Sequence, residues 1–114
     1  MSSTDTGRQA ERAAALYLEM RGYQIIEQNW RRPRCEIDIV AKKDGVLHFV
    51  EVRYRATDHQ GSGIDSITQA KLKQMRRSAW YYVDETEWRG QYVISAIELS
   101  GPDFQILSYI ENVF

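Results

Sequence analysis

The sequence predicts an α/β fold, a mixed β-sheet flanked by helices, in the order α-β-β-β-α-β-β. Three observations predict it. Apolar residues recur at helical spacing in two segments, one near the N-terminus and one past the middle. Five other segments are rich in β-branched and aromatic residues. Between two of these lies Asp44-Gly45, the strongest short-range signal for a hairpin. Strands interrupted by a helix point to a sheet with helical cover. At 114 residues the chain fits one domain, 1–114.

The first helix is predicted from Gly7 to Arg21. Thr6 and Gln9 match a capping box, and Ala10, Ala13, Ala14, Tyr17 and Leu18 form the apolar stripe. Gly22 falls where a helix-ending glycine belongs. A strand over Tyr23–Trp30 follows, then a basic loop, Arg31 to Arg34, containing Pro33. Two strands, Glu36–Ala41 and Val46–Tyr54, flank the Asp-Gly turn. Ala56 to Gly63 is polar and holds two glycines, so it is a loop. The second helix is predicted from Ser66, capped with Gln69, to Val83. Ile67, Leu72, Met75, Ala79 and Tyr82 form its buried side, and Trp80 is expected to pack in the core. Strands over Gln91–Leu99 and Phe104–Ile110 complete the order, joined by a turn at Gly101-Pro102-Asp103.

A net charge of −1 argues against a general polyanion binder. The distribution is uneven. Basic residues outnumber acidic ones between Arg31 and Arg77, and the reverse holds from Asp84 onward. Cys35 is the one cysteine, which rules out an internal disulfide and suits a reducing compartment. No stretch has the ~20 apolar residues of a membrane helix, and the polar N-terminus lacks a secretory signal's apolar run. The expected location is cytoplasmic.

The hairpin carries the chemistry. With Asp44-Gly45 as the two turn residues, Asp38 falls opposite Glu51 and Glu36 opposite Arg53, all on one face. Ile37, Ile39, Val50 and Val52 take the other. Opposed carboxylates repel, and both sit in apolar runs, Ile-Asp-Ile-Val and Phe-Val-Glu-Val, where unpaired charge is costly to bury. A divalent cation between them removes the conflict. Mg²⁺, or Mn²⁺ in its place, is the expected ion, since Mg²⁺ takes one or two carboxylates plus water and phosphate oxygens. The pattern also admits a plain Glu36–Arg53 ion pair with Asp38 and Glu51 solvated at the sheet end. His48 shares a face with Val50 rather than with the acids, and His59 lies in the loop; neither is assigned chemistry.

The run Cys35-Glu36-Ile37-Asp38-Ile39-Val40-Ala41, followed by Phe49-Val50-Glu51-Val52-Arg53-Tyr54-Arg55, resembles the bacterial YraN-like family of uncharacterised proteins. Gly7, Glu11, Tyr17-Leu18, Gly22-Tyr23, Asn29, Ile67, Lys71 and Ala79 extend the resemblance over nearly the whole chain. That family looks like the restriction-endonuclease superfold, whose mark is an acid on one strand and acid-x-lysine on the next. It is similar to archaeal Holliday-junction resolvases, which add a glutamate on the first helix. The resemblance implies Asp38 and Glu51 as metal ligands and Glu11 as the helix glutamate. Glu11 also reads as a first-turn acid favoured by the helix dipole. Three positions depart from the family: Cys35 stands where glycine is usual, Arg53 where lysine is usual, and Tyr92 where aspartate is usual. Arginine stays protonated and cannot act as a base, but it can stabilise a phosphate through paired hydrogen bonds.

The expected activity is therefore a Mg²⁺-dependent nuclease on structured or branched DNA, with Asp38, Glu51, Arg53 and Glu11 at its centre. Arg31, Arg32, Arg34, Arg55 and Lys71 are candidate contacts to nucleic acid, and Lys71 is also a stand-in for the absent lysine. Two other readings stay open: a nucleic-acid-binding module of the same fold without catalysis, and a homodimeric interaction domain pairing through an edge strand.

Overall fold

The computed structural model describes residues 3–56 and 67–112. Helix α1 spans Ser3–Met20, and strands β1 (Gln24–Arg32), β2 (Cys35–Lys43) and β3 (Val46–Arg55) follow. Helix α2 (Gln69–Thr86) precedes β4 (Tyr92–Ser100) and β5 (Gln105–Ile110). The expected order of elements is the observed one. His59, Ser66 and most of the predicted loop lie outside the described residues.

The strands form one sheet in the order β1-β2-β3-β4-β5, with β1 and β5 as edges. Among the described residues only β3 and β4 run parallel. A parallel neighbour needs a crossover connection, and α2 lies on it. Asp44 and Gly45 both have positive φ, as the two-residue turn requires. Gly22 has φ 91° and follows α1, whose end is closed by a Tyr23 N–H bond to the Leu18 carbonyl.

Each helix covers one face. Ala14, Ala15 and Leu18 of α1 pack on Ile39, Val50, Ile97 and Leu99. Met75, Ala79 and Tyr82 of α2 pack on Ile37, Val40, Phe49 and Ile94. Tyr82 meets Trp30 and Phe49 edge-on, each at 5.4 Å between centroids, an arrangement favoured by the ring quadrupoles.

Several details correct the sequence reading. Helix α1 begins at Ser3, so Thr6 and Gly7 lie within it, and Asp5 in the first turn complements the dipole. Helix α2 is capped by Thr68, whose hydroxyl accepts from the Lys71 N–H at 3.1 Å. Arg31 and Arg32 belong to β1, leaving Pro33 and Arg34 as a tight turn in which Arg34 has φ 64°. Trp80 is 56% exposed, while Trp30 is the buried tryptophan. Ile37 packs under α2, not beside Ile39 under α1. Strict alternation fails there, where Asn29 on the neighbouring strand, between the pairs Gln28–Ile39 and Trp30–Ile37, takes a left-handed conformation (φ 54°).

Candidate functional site

The β2–β3 ladder runs from Lys43–Val46 to Ile39–Val50 and stops there. The register agrees with the one read from the Asp-Gly turn. Past its end the strands part. Asp38 does not face Glu51 as a ladder partner; its Oδ2 accepts a 2.8 Å hydrogen bond from the Val52 N–H. The two carboxyl groups still meet, sharing a side-chain hydrogen bond. Glu36 and Arg53 are not the ladder partners expected. Glu36 lies opposite Arg31 on β1 and is 3.6 Å from it. Arg53 Nη1 lies 4.0 Å from Glu51 Oε2 instead.

Asp38 is 9% exposed. Burial, and then the neighbouring Glu51 charge and hydrogen bond, push its pKa up to about 8 against the Val52 N–H bond. A carboxyl so placed holds its proton at neutral pH unless a cation replaces it. A small cavity of about 10 Å³ opens between Asp38, Glu51, Met75 and Ile94, roughly the room one water-sized particle needs.

The two helices reach this point from opposite faces. From α2, Lys71 Nζ comes within 3.0 Å of Glu51 Oε2 and within 2.9 Å of Gln74 Oε1. A lysine in the first helical turn works against the dipole, and the Glu51 contact offsets that. Ser78, fully buried on α2, accepts from the Glu36 N–H at 3.1 Å and donates to the Gln74 carbonyl at 3.0 Å. It joins the helix to β2 beside the acids. From α1, Glu11 bonds the Asn29 side chain, and burial raises its pKa; Glu36 and Glu51 raise it further. Glu11 thus leans toward the sheet. Among the described residues no group of three or more His, Cys, Asp or Glu side chains gathers to hold a metal, so Glu11 adds charge beside a two-carboxylate site.

The predicted basic residues divide. Arg31, Arg32, Arg34 and Arg77 line an open cleft of about 460 Å³ that also touches Glu36. Arg32 makes two hydrogen bonds to Glu85, at 2.6 and 2.8 Å, and lies over the Trp30 ring. A second cleft, of about 570 Å³, runs between Glu11, Asn29, Arg8 and Arg31. Arg55 lies on neither. Its Nε is 3.6 Å from Glu98, a buried carboxylate on β4 that the sequence reading passed over. An acid inside the apolar run Ala-Ile-Glu-Leu carries the signal that singled out Asp38. His48 is buried under α1 with Nδ1 3.3 Å from Ser95 Oγ, and burial lowers its pKa. It stands apart from the acids, as expected.

The sequence profile of the uncharacterised protein family UPF0102 matches residues 10–103, a span that contains Glu11, Asp38, Glu51, Lys71 and Glu98. This chain belongs to the UPF0102 family. A UPF0102 protein of Sulfurihydrogenibium sp. (strain YO3AOP1) is 35% identical over all of this chain and 97% of its own length. One from Wolinella succinogenes is 39% identical over 94% of each chain. One from Nitrosomonas europaea is 33% identical over 99% of this chain and 96% of its own. This UPF0102 protein has, among its described residues, no helix long and apolar enough to cross a membrane.

Proposed function

We propose that this UPF0102 protein is a Mg²⁺-dependent nuclease acting on structured or branched DNA. The supporting observation is the Asp38–Glu51 pair, two touching carboxyl groups, one buried, beside a cavity the size of one small particle. The donor set fits the ion. Mg²⁺ and Mn²⁺ take hard oxygens, and Mg²⁺ needs only one or two carboxylates when water and phosphate complete its shell. Bound there, the ion would supply a Lewis acid and a water of lowered pKa.

The chain's own groups supply the rest. Asp38 and Glu51 hold the cation and release the proton it displaces. Lys71, held by Gln74, sets an ammonium beside Glu51 where charge develops on a phosphate. Arg53 adds a guanidinium on the same side and stabilises phosphate oxygens without taking up a proton. Glu11 deepens the negative potential that draws the cation. The preference for branched DNA rests on the resemblance to junction resolvases alone.

The test is cleavage of labelled junction, flap and linear DNA, with Mg²⁺ and then Mn²⁺, by the wild type, Asp38→Asn and Glu51→Gln. Cation-dependent nicking by the wild type, reduced at least ~100-fold in both variants, is the expected result. A folded wild type that cuts none of these with either ion rejects the reading. Arg53 in the usual lysine position, together with the arginine-lined clefts, favours a second reading: a module that binds nucleic acid without cutting. Tight binding without cleavage identifies it.

A further inference from the structure

The acid pair uses the first turns of α2 and leaves its other end aside. There Trp80, Val83, Asp84 and the cap residue Glu87 follow at helical spacing and share one side of the helix. Together with Trp88 and Arg89, from the segment after the helix, they line a cleft of about 260 Å³. Trp80 is 56% exposed, and Tyr81 stands edge-on to it at 5.1 Å between centroids. Trp88 is held in place: its Nε1 donates to the Gln91 carbonyl at 3.0 Å, and Gly90 packs so close that a Cβ there would lie 2.6 Å from the ring. Lys42 Nζ stands 5.6 Å from the Trp88 ring centroid, so this indole already serves one cation of the chain.

The charge at this end of α2 runs against the helix. A helix C-terminus is the negative end of the dipole, and basic side chains are the favourable ones there. The last turn of α2 has none. Asp84, Glu85 and Glu87 stand there instead. Arg32 answers Glu85 from β1. Asp84 and Glu87 both lie on the cleft, with Arg89 as the basic residue of its lining. Rings and charges select the same occupant. The face of an indole attracts a cation more strongly than that of tyrosine or phenylalanine, and the carboxylates add a Coulomb attraction. The same carboxylates repel phosphate, which sets this cleft against the stacking platforms that bind single-stranded nucleic acid beside basic grooves. An exposed apolar patch with a polar rim marks an interaction surface.

We propose that the cleft between Trp80 and Trp88 docks a basic segment of a partner protein, which places a lysine or arginine side chain against the two indoles with its charge toward Asp84 and Glu87. The docking site stands apart from the nuclease reading, because the cleft shares no lining residue with the cavity between Asp38 and Glu51.

The experiment titrates the full chain with short labelled peptides, one rich in lysine, one in arginine and one in glutamate, and with a labelled single-stranded DNA. Label anisotropy and tryptophan emission are read at low and high salt, and thermal unfolding of each variant is recorded in parallel. Both basic peptides are expected to bind, to quench the exposed Trp80 and to weaken as salt screens the charges; the acidic peptide is expected to do neither. Trp80→Leu keeps the apolar bulk and removes the ring quadrupole, so it should weaken binding about tenfold. Asp84→Asn combined with Glu87→Gln should weaken it by a similar factor. Arg89→Gln removes the cation that competes for the cleft and should tighten binding several-fold. All these side chains lie outside the core, so the variants should unfold near the wild-type temperature. The docking site is wrong if neither basic peptide binds at low salt. It is also wrong if both bind Trp80→Leu and the doubly neutralised variant as tightly as the wild type, or if the acidic peptide binds as well as the basic ones. Quenching by the DNA that disappears in Trp80→Leu, without quenching by either basic peptide, would make the cleft a stacking site for nucleic acid and overturn the proposal.

Discussion

Lys71 Nζ lies 3.0 Å from Glu51 Oε2, closer to that oxygen than Arg53, which sits two residues from Glu51 on the same strand. The basic group nearest the acids therefore comes from α2. Two consequences of opposite sign follow for Lys71→Met. Removing a cation from beside Glu51 should tighten Mn²⁺ binding several-fold in a calorimetric titration. Removing an ammonium that stabilises phosphate charge should slow cleavage about 100-fold. A loss of both, or of neither, removes Lys71 from the chemistry.

The arginine on β3 allows a relocation experiment. If the site needs one ammonium near Glu51, Arg53→Lys combined with Lys71→Met should recover about a tenth or more of the wild-type rate. Arg53→Lys alone should change it little. Single-turnover cleavage compares the four proteins without interference from product release. A double variant as slow as Lys71→Met would mean that the direction of approach from α2 matters, not merely the charge.

The raised pKa of Asp38 makes stability depend on pH. Below pH 4 the folded and unfolded chains both carry the proton. Between the ordinary value of 3.8 and about 8, the folded chain keeps it and the unfolded chain does not. The folded state then binds more protons, so stability is fully present at the acid end of this window and falls as pH rises through it. Asp38→Asn is neutral throughout. It should unfold with a flatter pH profile and gain on the order of a few kcal/mol over the wild type near pH 8. Urea denaturation at pH 5 and pH 8 measures the difference. An identical pH slope in both proteins contradicts the burial of this carboxyl.

The same proton governs the cation. Binding at Asp38 must displace it, so Mn²⁺ affinity should climb with pH up to about 8 and release about one proton per ion at pH 7. Calorimetry in two buffers of different ionisation enthalpy counts that proton. Affinity independent of pH from 5 to 8 points to ligands other than Asp38.

Much of this was legible in local sequence. The Asp-Gly turn set the β2–β3 register, and that register carried Asp38 and Glu51 to the same end of the hairpin. Acids inside apolar runs marked both, and the same rule finds Glu98. What local pattern could not supply was anything decided across the fold. Ile37 packs under α2 and Glu36 lies beside Arg31 at the place where Asn29 on β1 is left-handed. Asparagine tolerates that conformation without announcing it. The Lys71–Glu51 contact joins a helix to a strand, and nothing in the spacing of residues 51 and 71 encodes it. Trp80 left its expected place in the core because α2 turns Met75, Ser78, Ala79 and Tyr82 inward.

Ser78 tests whether the support of the site matters as much as its acids. Its buried hydroxyl is the link between the Glu36 N–H on β2 and the Gln74 carbonyl on α2, and Gln74 in turn steadies Lys71. Ser78→Ala leaves the Glu36 N–H without that partner, a loss of about 1–3 kcal/mol, and should lower the melting temperature by several degrees. It removes no charge and no metal ligand. Mn²⁺ affinity should nevertheless fall, because the end of β2 that carries Asp38 is no longer tied to the helix that carries Lys71. Unchanged Mn²⁺ affinity in a measurably destabilised Ser78→Ala protein would show that the acids hold their positions without α2.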